Sequence, residues 1–213
     1  MVIHAITPTR GDRPILLEQC KFYLSRQTIK PIKHHIIDFV PTDNQKDITK
    51  RFRIGLTNAF NEGADLVFLF EDDDWYHPEY IQQMFDFWVN SDKPNCIGIA
   101  DTYYYHLGLK RWMYMRHPDR ASAFCTAVTS SVLNMKWPDD TYPFFDIELW
   151  KQLNGKTLFT TQQLALGIKG HKEGELFGGN GHNDKWVAYN KNDSDMLWFK
   201  NIVKDDFLFY KKY

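Results

Sequence analysis

The first hundred residues alternate short apolar runs with helical patterns, and this alternation restricts the possible folds more than any other feature of the chain. Val2 to Thr7 is a strand-like run closed by the turn Pro8-Thr9-Arg10-Gly11. Asp12 as N-cap and Pro14 in the first turn open a helix through Ile15, Leu16, Cys20, Phe22, Tyr23 and Leu24, ending near Gln27. The pattern then predicts a strand at Ile36 to Val40 and a helix from about Asp47 to Asn61, with Gly63 past its end. A strand at Leu66 to Phe70, a helix from Pro78 to Val89 and a strand at Cys96 to Ala100 follow. Strands separated by helices of roughly ten to fifteen residues cannot pair as hairpins. They predict an α/β fold with a mostly parallel central sheet flanked by helices.

The second half changes character. Thr102 to His106 and Arg111 to Arg116 flank Leu107-Gly108-Leu109-Lys110 as a β-hairpin dense in Tyr, Trp and Met, a smaller antiparallel element beside the main sheet. Its aromatics fit core packing better than a stacking platform. A small-residue strand is expected over Ala121 to Val128, a short helix near Ser130 to Met135, a helix from Pro143 to Leu153 stopped near Gly155, and a strand at Leu164 to Lys169. No stretch reads as a linker, so 1–213 is expected to form one domain, with about 1–100 as one half and about 101–213, including a C-terminal helix, as the other.

Composition removes several function classes. A formal net charge of −1 argues against a general nucleic-acid scaffold, although Lys50, Arg51 and Arg53, or Lys110, Arg111, Arg116 and Arg120, could form a local basic groove. The apolar runs are too short to cross a bilayer, and no signal segment is visible at the amino terminus. Cys20, Cys96 and Cys125 are odd in number, widely spaced and set in apolar surroundings, which predicts free thiols and a cytoplasmic setting.

The chemistry-bearing segment is Glu71-Asp72-Asp73-Asp74, directly behind the apolar run Leu66 to Phe70 and followed by Trp75-Tyr76-His77-Pro78. It falls at the carboxyl end of a central strand, the edge where open α/β sheets bind ligands. If the strand stays extended, Asp72 and Asp74 share a face at a separation of roughly 7 Å. Their repulsion would be about 2–3 kcal/mol at an effective dielectric near 20. A divalent cation, Mg²⁺ or Mn²⁺, would remove that cost. An acidic turn that only caps the next helix needs one Asp, and this loop carries three and a Glu.

The order of elements and motifs resembles the family 2 glycosyltransferases of the GT-A fold. Three parts carry the likeness: Thr7-Pro8-Thr9-Arg10 after the opening strand, the DxD segment Asp72-Asp73-Asp74, and Asp146 through Leu149-Trp150, which is similar to the family's acidic base motif. The resemblance implies a Rossmann-like GT-A sheet and a metal-dependent, inverting transferase. It would move a sugar from a nucleoside diphosphate sugar, a UDP-sugar above all, to a hydroxyl acceptor. It implies that Thr7, Thr9 and Arg10 line the nucleotide pocket, with Asp38 or Asp43 addressing base or ribose. Arg53 stands where the family has Asn. Asp72 and Asp73 join the nucleotide-binding set, and Asp72 and Asp74 are the expected metal pair for Mn²⁺ or Mg²⁺. Asp73 and Glu71 are expected chiefly to orient the loop. His182, in the glycine-rich loop Glu175 to His182, is the expected third ligand, with His171 as its competitor. Asp146 is the expected base and Glu148 its reserve, although Phe145 stands where the family has an acid before that Asp.

The residue types suit this reaction on their own account. A departing nucleoside diphosphate needs its charge neutralised, and the acceptor hydroxyl needs a carboxylate to take its proton. Two other readings keep the same sheet: a sugar-nucleotide or carbohydrate-binding module without transfer activity, and a sugar nucleotidyltransferase. The latter would want a Gly-rich, basic loop after strand one, which Thr7 to Gly11 supplies poorly. No GxGxxG follows strand one, against a dinucleotide-dependent dehydrogenase. The acceptor is open, with a modified nucleic-acid base among the permitted classes.

Overall fold

The computed structural model describes residues 1–40, 46–171 and 189–212. Strand β1 (Ile3–Pro8) is buried along its whole length and runs parallel to β2 (Lys33–Ile37) on one side and β3 (Leu66–Leu69) on the other. Helix α1 (Pro14–Ser25) joins β1 to β2, and α2 (Ile48–Asn61) joins β2 to β3. Burial of β1 and β3 on both faces explains why unbroken apolar runs mark them. Helix α2 lies close on the sheet at Gly55, where an added methyl would come within 3.1 Å of Ile37 and 3.3 Å of Ile6.

The sheet is less parallel than the alternation predicts. After the short β4 (Trp75–Tyr76), α3 (Tyr80–Asn90) and β5 (Cys96–Ile99), the chain leaves through the hairpin of β6 (Asp101–His106) and β7 (Arg111–Arg116). It returns as β8 (Thr126–Val128), inserted antiparallel between β3 and β5. A return from a hairpin, without a crossover helix, brings the strand in reversed. Only Thr126–Val128 of the expected small-residue strand pairs; Ala123–Cys125 form a 3-10 turn, as do Ser130–Asn134 in place of the expected helix.

Helix α4 (Phe145–Gln152) is anchored by Trp150, whose indole fills a seam left open by two glycines. A methyl at Gly98 would meet Trp150 at 2.7 Å, and one at Gly155 would meet it at 2.4 Å. Gly155 does more than stop the helix, because it opens β9 (Gly155–Leu158), which pairs in parallel with β5. The six-stranded order is β2-β1-β3-β8-β5-β9.

A second sheet of five strands follows the order β11-β7-β6-β10-β4, with β10 (Ala165–Lys169) and β11 (Lys191–Asn192) completing it. Strand β10 pairs in parallel with β6 and antiparallel with β4, so it links the hairpin to the segment behind the acidic residues. The hairpin aromatics are packing residues: Trp112 stacks on Trp198 at 4.4 Å and Tyr105 on Phe199 at 4.2 Å, both partners lying on α5 (Leu197–Val203). The chain then passes through a 3-10 turn, Lys204–Asp206, into α6 (Phe207–Tyr210). Among the described residues, no helix is long and apolar enough to cross a membrane.

Candidate active site

Strand β3 ends at Leu69, and the chain turns at Asp72 to Asp74. Period-two alternation stops there, which corrects the expectation that Asp72 and Asp74 share a face. Asp72 Oδ1 accepts from the Arg13 guanidinium at 2.8 Å. Asp73 Oδ2 lies 3.1 Å from Arg13, 3.4 Å from His171 Nε2 and 3.7 Å from Lys169 Nζ. Asp74 Oδ1 accepts the Ile168 backbone N–H at 2.8 Å and lies 3.2 Å from Lys169 Nζ. The carboxylates grouped within 4.8 Å of one another are those of Glu71, Asp73 and Asp74. The trio includes Glu71 and Asp73, the two residues expected chiefly to orient the loop, and Asp72 is turned toward Arg13.

All three aspartates are enclosed, between 1% and 3% exposed, and burial dominates their electrostatics. Desolvation pushes Asp72 up to about 6 despite Arg13, and Asp74 up to about 7 despite Lys169. Glu71 is raised well above the carboxylate range by burial, with Asp74 adding to the effect. Burial opposes ionisation of Asp73 too, but Lys169, Arg13 and His171 together outweigh it and hold its carboxyl below the usual value. Burial likewise works against the Lys169 charge, and Asp73, Asp74 and Glu71 overcome it, raising its pKa.

The strand-one turn reaches this loop from the other side. Thr9 is buried and its side chain interacts with that of Asp72, while Arg10 pairs with Asp47 at 3.2 Å. Thr7 faces inward, its hydroxyl 2.8 Å from His34 Nε2, so it supports the turn without lining it. Asp38 lies exposed just past β2. Arg53 points elsewhere, pairing with Asp140 at 2.7 Å. Arg51 does the work near the turn: fully buried, it donates to the carbonyls of Thr9, Ile37 and Phe39 and to Asp47, and so ties the ends of β1 and β2 together. Asp43, His182 and the glycine-rich loop fall outside the described residues.

Asp146 joins the acidic loop across a cleft of about 170 Å³ whose walls include Phe52, Glu71, Tyr104, Phe145, Asp146 and Lys169. Burial raises the Asp146 pKa, and Arg120, 3.6 Å away, partly restrains the shift. Glu148 is paired with Lys151 at 2.7 Å and does not line the cleft, so the geometry favours Asp146 over its reserve.

The donor set fits a hard divalent cation. Glu71, Asp73 and Asp74 offer oxygens, Asp74 Oδ2 is buried without a hydrogen bond, and neither ring nitrogen of buried His171 makes one. Arg13, Arg51 and Lys169 have faint sequence signals. Arg13 precedes a helix-opening proline, Arg51 lies on the helix face otherwise used for packing, and Lys169 is the one charge ending an apolar strand.

No protein-family model matches the chain, and no curated protein matches it significantly. Solved structures do. A197 from STIV superposes with a TM-score of 0.51 at 13% identity, over 75% of this chain and 82% of that one. S. aureus TarS 1-349 in complex with UDP-GlcNAc superposes with a TM-score of 0.60 at 12% identity, over 86% of this chain. The same protein in complex with UDP gives 0.57 at 9% identity, over 79% of this chain. The match spans about three fifths of TarS 1-349, 60% to 62% of its length. At these identities the likeness defines the fold: this is a GT-A-like glycosyltransferase fold, an α/β architecture with the acidic loop at the carboxyl end of a central strand.

Proposed function

We propose that this protein transfers a sugar from a nucleoside diphosphate donor, UDP-linked by preference, to a hydroxyl acceptor with inversion. The observation that carries the reading is the cleft in which Asp146 faces Glu71 and Lys169 across a GT-A-like fold. TarS, which shares that fold, binds UDP-GlcNAc and UDP.

Each residue then has a defined task. Thr9, Arg10 and Asp38 stand at the strand ends where the nucleotide is expected, and Arg51 fixes that backbone. Asp146, whose basicity is raised by burial, takes the acceptor proton as the new bond forms. With Asp146 as the base on the acceptor, direct displacement and inversion follow. Glu71, Asp73, Asp74 and His171 would hold Mn²⁺ or Mg²⁺. That ion, when bound, supplies Lewis-acid neutralisation of the departing diphosphate.

Calorimetric titration with UDP, UDP-GlcNAc and GDP, each with and without Mn²⁺, tests the proposal. Tighter binding of the uridine nucleotides is expected. Binding of none of the three would overturn it.

A further inference from the structure

Lys169 is more than a neighbour of the acidic loop. Its side chain is buried, 9% exposed, and its ammonium lies 3.2 Å from Asp74 and 3.7 Å from Asp73, two of the three residues grouped for a cation. Both of these oxygens would be wanted by a metal. The position is fixed from several sides. The preceding residue, Ile168, donates its backbone N–H to the same Asp74 oxygen, and the face of Tyr104 stands 6.0 Å from the ammonium. Gly167 leaves no room between strand and ring, since a methyl there would lie 2.4 Å from Tyr104. Lys169 pairs with His106 of β6, and the start of its strand, Ala165 and Leu166, pairs with β4, so the backbone carrying the ammonium is held in place.

An ammonium and a divalent ion cannot share these oxygens, because two cations at ligand distance repel strongly among side chains this deeply buried. We infer that the Lys169 ammonium and a divalent cation are alternative occupants of one place among Glu71, Asp73 and Asp74. Lys169 therefore sets how tightly the protein takes up metal. This rests on the cation-binding half of the proposed function and not on nucleotide recognition. Lys169 keeps the loop ordered and its carboxylates compensated when no metal is bound, and metal entry frees the ammonium for an incoming anion.

Mn²⁺ titration of the full chain without nucleotide, followed by electron paramagnetic resonance, tests the competition. Lys169→Met removes the competitor and is expected to bind Mn²⁺ at least tenfold more tightly than the unaltered protein, while Lys169→Arg, which keeps the charge, is not. Equal or weaker Mn²⁺ binding by Lys169→Met would overturn the inference. If Lys169→Met does not fold alone, it is expected to fold when Mn²⁺ is supplied, because the ion then takes the ammonium's place. Failure to fold under both conditions counts against the inference. UDP binding by the unaltered protein, measured in parallel, reports on the transferase reading separately.

Discussion

The indole N–H of Trp75 donates to Asp206 Oδ2 at 2.7 Å, joining the residue after the acidic loop to a turn 131 positions further along the chain. The same carboxylate receives the Arg26 guanidinium, and the Tyr23 hydroxyl donates to that of Tyr210 at 2.8 Å. The C-terminal segment is thus fastened behind the loop. Asp206→Ala leaves a buried indole N–H without its acceptor and Arg26 with the Tyr76 carbonyl in place of a carboxylate, and is expected to cost about 1–3 kcal/mol. Urea denaturation measures this, and a loss within experimental error of zero would show the clamp to be idle.

Arg13 is paired with both Asp72 and Asp73. Its removal leaves buried Asp72 without its cation and Asp73 with Lys169 and His171 alone, so Arg13→Met is expected to destabilise by about 3–5 kcal/mol. Combining it with Asp72→Asn and Asp73→Asn is expected to recover much of the loss, since the cost lies in the uncompensated charges. A triple variant no more stable than the single one would show that Arg13 acts through packing alone.

Asp146→Asn keeps the shape of the cleft and removes the base. Transfer is expected to fall by about 10²–10⁴ while UDP affinity stays within a factor of about two. Native turnover in this variant would assign the base elsewhere.

His34 is neutral in the fold: burial lowers its pKa to about 4, with Lys21 and His35 adding to the effect. The unfolded chain therefore binds a proton below about pH 6.5 that the folded chain refuses, and stability from this group falls with pH until about pH 4. The raised carboxyls of Asp72 and Asp74 work the other way, because the folded state holds their protons more tightly. The difference between the protein and His34→Gln isolates the histidine. It is expected to shift in favour of the variant by up to about 1.4 kcal/mol for each pH unit of acidification in that window. Parallel stability curves would contradict the assignment.

The first and third strands and the three helices are legible in the sequence because each buries either both faces or one stripe, whereas β2 begins three residues earlier than expected, at Lys33, and ends at Ile37, because its polar start Lys33-His34-His35 hides it. The reversed β8 is not legible, since strand direction comes from how the chain returns and three residues such as Thr126–Val128 carry no direction. The two-residue strands β4 and β11 are too short for any period. At the site, the acidic loop and Asp146 are visible as residue types. Which carboxylates converge is not, because extended geometry ends at Leu69 and the alternation that would put Asp72 and Asp74 on one face ends with it. The compensating charges come from α1's start and β10's end, and no local pattern links Arg13 or Lys169 to a loop so distant in the chain.

Strand β10 carries a consequence for how such a chain can vary. Side chains alternate along a strand, so a one-residue slip of β10 in either direction would present Ile168 or Gly170 to three carboxylates and swing the ammonium to the opposite face. Pairing with β6 and β4 holds the register from both edges. A length change in the Phe159 to Gln163 connection just before it is absorbed while that register holds, and removes the ammonium from the carboxylates where the strand slips. The register of β10 acts as a ruler for the electrostatics of the cleft.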